Sequence, residues 1–426
     1  MSTGPSLSHV LPLGSRLNER GRLEVGGCDT IELAKEFGTP AYVVVEDDLR
    51  ARARAFVQAG TEVEHADFNV VFASKAFPCT AVLGLFAEEG LWCDVASGGE
   101  LQLALNAGFA AEQIVMHGNA KSEAELQMAL DARIALIVID NLDEIDRLAG
   151  LVAQGTLDGA PQGVLIRATP DVRGDTHEKI STGQADSKFG FSMADLPIAI
   201  GKIAEAGGLA LEGVHAHIGS QLLELEPFRR EVAALAQIGD FPVWDLGGGL
   251  GVAYTEAQRP PEIDAWVGAI IQAAYDAGIG PHARLLVEPG RALTANAGVT
   301  LYTVQSVKRN VSTWVAVDGG MSDNLRPMLY GAVYEAHVAD RLGGSTPCVL
   351  TGKHCESGDV IVREALLEDP KPGDVIVTPA TGAYGYAMAS NYNGITRPPV
   401  IFCKDGDARV VVRRENFDDL KARDVH

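Results

Sequence analysis

Between residues 69 and 290 one pattern recurs eight times: a short apolar run that ends on polar residues or glycine, then a stretch of helical periodicity. The runs are Asn69–Lys75, Leu91–Ser97, Ile114–Gly118, Ala135–Asn141, Gly163–Thr169, Leu211–Gly219, Val243–Gly249 and Arg284–Gly290. They are nearly continuous in apolar residues, as expected of parallel strands covered on both faces. Thr80–Glu89, Gly98–Ala107, Ser122–Leu130 and Glu262–Ala277 supply helices between them. Eight β/α units in roughly 250 residues fit a closed TIM barrel. A doubly wound open sheet is the competing architecture.

The flanks read differently. Residues 1–45 carry little helical signal. After Arg291, alternating runs such as Val299–Val307, Thr313–Asp318, Pro347–Thr351, Asp374–Thr378 and Ala408–Arg413 are punctuated by Gly and Pro. That is the signature of a mostly antiparallel β domain. The expected division is a barrel over residues 46–293 and a β domain built from 1–45 and 294–426. The long polar stretch Pro170–Phe191 is expected as a loop on the barrel's functional face.

Composition excludes several roles. With 57 acidic against 35 basic residues the net charge is −22, which repels phosphate backbones and anionic lipid. Cys28, Cys79, Cys93, Cys348, Cys355 and Cys403 show no paired spacing, so neither a zinc site nor a disulfide framework is expected. No basic-then-apolar leader and no membrane-length apolar run is evident. A cytoplasmic protein is expected.

In a barrel of this kind functional groups gather at the C-terminal ends of the strands. Those ends carry Lys75, Asp94 with Ser97, His117, Asn141, Arg167, His217 with Ser220, Gly247–Gly249, and Glu288 with Arg291. A lone lysine closing a strand is usually a cation snorkelling to the rim; in a barrel mouth, desolvation instead favours a Schiff base. DLGGGLG, from Asp245, exposes backbone N–H groups suited to phosphate, although a tight strand–helix turn needs glycine too. Glu288, in EPGR, is placed either to pair with a ring nitrogen or to form an ion pair with Arg291. His215 and His217 share one strand face. A metal would need further ligands, and neither His117 nor His177 stands at ligand spacing. A ring stacked on a flat cofactor suits His217 better. Cys355, in CESGD, reads as an exposed loop residue, and Asp359 beside it argues against burial. Gly382–Gly385 places Tyr384 where backbone comes close to a partner.

SKAF, DVASGGEL, HAHIGSQ, DLGGGLG, EPGR, CESGD and GAYG occur in one order. Together they resemble the fold type III pyridoxal-phosphate (PLP) decarboxylases, and among these the diaminopimelate decarboxylase family, over about residues 25–415. The resemblance implies an alanine-racemase-like barrel with a β domain. It implies PLP on Lys75, His217 stacked on the ring, and Asp94 near the lysine. Ser220, Gly247, Gly248, Gly249 and the backbone of Glu288, Pro289, Gly290 and Arg291 would hold the phosphate, with Glu288 at the ring nitrogen and Tyr384 against the cofactor. Arg291, Arg326 and Tyr330 would hold the retained substrate carboxylate. Glu356 would meet the distal ammonium and Cys355 the reacting carbon, both from the partner subunit of a homodimer. The implied reaction turns meso-2,6-diaminopimelate into L-lysine and CO2. A decarboxylase of ornithine, lysine, arginine or carboxynorspermidine, and a PLP-binding protein without catalysis, are the alternatives. Lys353, His354 and Tyr334 depart from the commonest pattern without touching these roles.

Overall fold

The computed structural model describes residues 7–62, 67–155, 157–172 and 187–425. Most of the Pro170–Phe191 stretch, His177 included, lies outside the described residues. Two compact units emerge: residues 52–251 with 260–290, and residues 1–51 with 252–259 and 291–426. The short segment Val252–Arg259, which the sequence reading leaves inside the barrel, belongs to the second unit.

In the first unit, strands β1 (Phe68–Ala73), β2 (Trp92–Val95), β3 (Ile114–Met116), β4 (Leu136–Ile139), β5 (Gln162–Thr169), β6 (Leu209–His215), β7 (Val243–Asp245) and β8 (Arg284–Val287) follow in order. Each pairs in parallel with the next, and β8 returns to β1 with Leu286 opposite Asn69. The sheet is closed, which rules out the doubly wound alternative. Strand β4, LIVI, shows why the runs are continuous: all four residues are buried. Val71, Val115, Leu136, Val138, Leu165, Val243 and Leu286 form one apolar cluster.

The strand ends also start helices, and this removes two residues from the functional set. Ser97 accepts from the Glu100 amide (3.2 Å) and caps helix Gly98–Asn106. Asn141 accepts from the Glu144 amide (3.0 Å) and caps helix Leu142–Val152. Both satisfy orphan donors of a first helical turn.

The second unit is a mostly antiparallel sheet. Its ordered path is Val360–Leu367, Thr346–Thr351, Thr313–Val317, Gly298–Arg309, Ala41–Val45, Val400–Lys404 and Asp407–Val412. Two pairings are parallel: Thr313–Val317 with Thr346–Thr351, and Ala41–Val45 with Val400–Lys404. Its core includes Val43, Val45, Leu301, Val377 and Ile401. One expectation fails here: the N-terminal region holds a helix, Thr30–Phe37. The Asp29 carboxylate accepts from the Ile31 and Glu32 amides, and Leu33 is buried in the core. Eight residues give too few turns for periodicity to stand out; the cap was the readable signal. Among the described residues no helix is long and apolar enough to cross a membrane.

Candidate active site

Lys75 follows β1 in a single 3₁₀ turn, Ser74–Ala76. Its Nζ lies 3.3 Å from the Asp94 Oδ2. The register explains the meeting: Ala73 on β1 stands opposite Asp94 on β2. The lysine side chain keeps 46% of its exposure while Asp94 is buried, so the amine is oriented but accessible.

Across the strand ends sits a buried carboxylate, Glu288. The His117 Nε2 approaches its Oε1 at 2.7 Å, and the His215 Nε2 lies 3.4 Å from its Oε2. The first contact is close but not aligned; neither atom has a hydrogen-bond partner among the described residues. Burial alone would raise the Glu288 pKa, yet the two imidazoles hold it well below the usual carboxylate range. Burial pushes the His215 imidazole down to about 3. Asp245, at the end of β7, goes the other way: burial, then the charge of Glu288, pushes its pKa well up. Of these two carboxyls, Glu288 is the one whose surroundings favour the charge and Asp245 the one whose surroundings favour the proton. Ligand atoms of His117, His215, Asp245 and Glu288 all lie within 4.8 Å of one another. That spread exceeds the roughly 3–3.5 Å between ligand atoms around a tetrahedral zinc, so the set reads as support for Glu288. His215 and His117 were not assigned this role from sequence; their signal was position at strand ends, with the pairing visible only in three dimensions.

The triple glycine is demanded by packing. A Cβ on Gly247, Gly248 or Gly249 would lie 2.2, 2.0 or 2.4 Å from the carbonyl oxygen of Ala216, Glu288 or Gly219. The Gly248 N–H donates to the His217 Nδ1 (3.3 Å). Desolvation, then the nearby Lys75 charge, pushes the His217 pKa well down. Lys75, His217 and the glycine turn therefore belong to one neighbourhood. Ser220 is partly buried, and Pro289 and Gly290 are buried; a Cβ on Gly290 would crowd the Ala73 Cβ at 3.0 Å. Arg167 is buried beside Asp140 at 3.8 Å. An accessible amine, a neutral imidazole and an ionised buried carboxylate, beside glycine backbone, fit a cationic, phosphate-bearing pyridine aldehyde. The Glu288 Oε1, without a hydrogen-bond partner among the described residues, supplies the acceptor that a ring N–H requires.

The second unit holds a different cluster. Arg291 opens helix Arg291–Thr294 and Arg326 opens helix Arg326–Tyr330. The Arg291 Nη1 donates to the Tyr254 hydroxyl at 2.5 Å, and the Arg326 Nη1 donates to the Tyr334 hydroxyl. The Arg326 guanidinium lies 4.5 Å from the Tyr254 ring centroid, and that of Arg291 4.8 Å from the Tyr384 ring. Both arginines are buried. No carboxylate lies within 4 Å of Arg326 among the described residues. Tyr330 is one helical turn beyond Arg326, but the hydroxyl on that arginine comes from Tyr334. Tyr334 therefore touches Arg326, a contact that the sequence did not suggest. Tyr254 was missed altogether, because it sits outside every motif in a segment read as barrel.

Cys355 and Glu356 are exposed, and the Cys355 amide donates to the Asn393 Oδ1 at 2.9 Å. Asp359 corrects the sequence reading: it is buried, accepting from the His354 amide (2.9 Å) and the Met321 amide (2.7 Å). It anchors the loop from beneath rather than marking it as exposed.

The family described as pyridoxal-dependent decarboxylase, pyridoxal binding domain, matches residues 46–295. A diaminopimelate decarboxylase of Actinosynnema pretiosum subsp. auranticum is 45% identical over 100% of this chain and 98% of its own length. One from Bacillus subtilis is 43% identical over 96% and 97%. The chain belongs to the diaminopimelate decarboxylase family. Among solved structures, the M. jannaschii enzyme in complex with L-lysine superposes with a TM-score of 0.90 at 32% identity, covering 97% of this chain and 98% of that one. The Helicobacter pylori enzyme with L-lysine gives 0.86 at 30%, covering 92% and 98%. The family and the neighbours agree with the barrel-plus-β architecture, and PLP is the family's cofactor.

Proposed function

We propose that this chain removes CO2 from meso-2,6-diaminopimelate, leaving L-lysine, with PLP held at Lys75. The observation that carries the reading is Arg326. It is a buried guanidinium whose close partners are the tyrosines Tyr254 and Tyr334. Buried charge is stable only when paired, and no carboxylate among the described residues pairs Arg326, which suits it to an anion brought by a substrate. A substrate that keeps one carboxylate while losing another supplies it.

The assigned roles are these. Lys75 carries the cofactor, and Asp94 orients its amine. His217, kept neutral, lies against the ring. Ser220, Gly247–Gly249 and the backbone of Glu288–Arg291 hold the phosphate, and Tyr384 contacts the cofactor. Glu288 faces the ring nitrogen; its ionised state keeps that nitrogen protonated. PLP, when bound, supplies the electron sink for carbon–carbon cleavage. Arg291, Arg326 and Tyr330 hold the retained carboxylate. That fixes the substrate's long axis and so the angle of the leaving carboxylate, where orientation lowers the barrier. Glu356 meets the distal ammonium. Cys355 or Lys75 returns a proton to the reacting carbon.

Cys355 and Glu356 are proposed to act in the partner's site of a cytoplasmic homodimer. Their exposure supports this, as does the exposed apolar pair Met328 (48%) and Val333 (63%) in the same unit. The barrel of residues 46–293 is the proposed cofactor domain, and residues 1–45 with 294–426 complete the site.

The deciding experiment is CO2 release with added PLP from meso-diaminopimelate, ornithine, lysine, arginine and carboxynorspermidine. Turnover of meso-diaminopimelate far above the others is expected; faster turnover of a substrate lacking the second carboxylate overturns the reading. Sharing of sites has its own test. Lys75→Ala and Cys355→Ala homodimers should each be nearly inactive, and mixing them should restore part of the activity. No recovery after proven subunit exchange removes the shared site.

A further inference from the structure

Tyr254 and Tyr334, which carry no assigned role, belong to a row that also takes in both arginines and Tyr384. It runs Tyr384, Arg291, Tyr254, Arg326, Tyr334, with rings and guanidiniums alternating. The Arg291 guanidinium lies 4.8 Å from the Tyr384 centroid and 5.8 Å from that of Tyr254. The Arg326 guanidinium lies 4.5 Å from Tyr254 and 5.5 Å from Tyr334. Tyr254 and Tyr334 meet edge-on, 5.1 Å apart at 76°. Tyr254 is 4% exposed and Tyr334 2%, so water cannot screen the like charges here.

We propose that Tyr254 is a positioning residue that sets the spacing of Arg291 and Arg326, and thereby makes the pair selective for a ligand bearing a carboxylate. The inference rests on the assignment of those arginines to the retained carboxylate.

The physics is local. Two buried guanidiniums repel, and each is a long side chain with several rotamers. Tyr254 opposes both tendencies through one ring. Its face offers electron density to Arg326, an attraction that grows with desolvation. Its hydroxyl oxygen accepts from Arg291 and fixes the planar fork of that group. Burial would raise the Tyr254 pKa, but Arg291 and Arg326 pull it below the usual phenol value. The phenol oxygen turns its lone pairs toward Arg291. On the far side of Arg326 the Tyr334 hydroxyl, kept protonated by burial, accepts from the guanidinium. The arginines are thus held as a preformed pair, and a carboxylate entering between them need not order either one.

The test uses PLP-loaded enzyme and two probes, L-lysine and cadaverine, which differ by the retained carboxylate. Wild type should bind L-lysine more tightly by titration calorimetry. Tyr254→Phe keeps the ring and loses the hydroxyl. It should weaken L-lysine by about tenfold, the worth of a hydrogen bond to a charged group, and leave cadaverine unchanged. KM for the diacid should rise while kcat stays within about twofold, and the visible absorbance of bound PLP should not move. Tyr334→Phe should show the same pattern and covers the case of a poorly folding Tyr254 variant. Equal weakening of both probes, or none in either variant, overturns the proposal while leaving the arginine assignment standing. A wild type that does not distinguish L-lysine from cadaverine overturns both.

Discussion

The two polar clusters are built on opposite logic. At the strand ends of the barrel, groups of both signs crowd together and settle their charges among themselves. His117 and His215 pull the Glu288 pKa down, burial and then the Glu288 charge push that of Asp245 up, and burial pushes that of His215 down to about 3. In the β unit, Arg326 has phenols and ring faces around it instead. The first cluster presents a fixed negative charge to a cationic ring. The second presents positive charge that no carboxylate among the described residues pairs at Arg326. Under the proposed function the first prepares the chemistry and the second chooses the substrate, so substitutions in the two should fail in different kinetic terms.

The sharpest test of that contrast is Glu288→Gln. The amide keeps the shape and removes the charge that favours a protonated ring. Loss of one preorganised electrostatic group costs roughly 10²–10³ in kcat, and KM should change little. Stopped-flow turnover with PLP content measured on the same sample gives the answer. A variant with intact kcat would mean that the imidazoles of His117 and His215, not the carboxylate, govern the ring.

Arg326→Met should fail in the complementary way. It keeps an apolar stem and removes the guanidinium. Charge-assisted hydrogen bonds to a carboxylate are worth ~1.5–3 kcal/mol each, so kcat/KM for the diacid should fall by about 10²-fold, mostly through KM. PLP binding should be intact. A fall confined to kcat would place Arg326 in the chemistry and erase the division of labour.

How much of this was readable beforehand follows the same division. The barrel's strands announced themselves as continuous apolar runs, and motif order pointed to the family. Lys75, Asp94, Glu288 and the triple glycine stand on consecutive strand ends, where sequence position already implies neighbourhood. The imidazole pairing on Glu288 was not readable, because β3, β6 and β8 are not neighbours in sequence. Nor was the tyrosine row: Tyr254 and Tyr334 are eighty positions apart and belong to no periodic element. Ser97 and Asn141 misled because a helix cap and a functional group at a strand end use the same residue types. Asp359 misled because charge argues for exposure until its two amide donors are seen.

A smaller effect separates two buried carboxyls, one from each unit. Glu288 is held ionised by imidazoles. Among the described residues Asp323 has only neutral donors, the Tyr302 hydroxyl at 2.6 Å and the Gly320 amide at 2.8 Å. Burial, which these bonds only partly offset, pushes it up to about 7, with Asp359 adding to the rise. The sign follows from linkage: below about pH 4 the group is protonated in both native and unfolded chains and costs nothing. Between about pH 4 and 7 the unfolded chain ionises while the native one keeps its proton, so the native state binds more protons and loses stability as pH rises. Above about 7 both are ionised and the penalty is constant, at most ~4 kcal/mol. Asp323→Asn cannot titrate. The stability of wild type minus that of Asp323→Asn, from urea unfolding at a series of pH values, should therefore decline across pH 4–7 and level off above. A difference that is flat, or that rises with pH, would mean Asp323 is ionised in the native state, and the two units would then treat their buried acids alike.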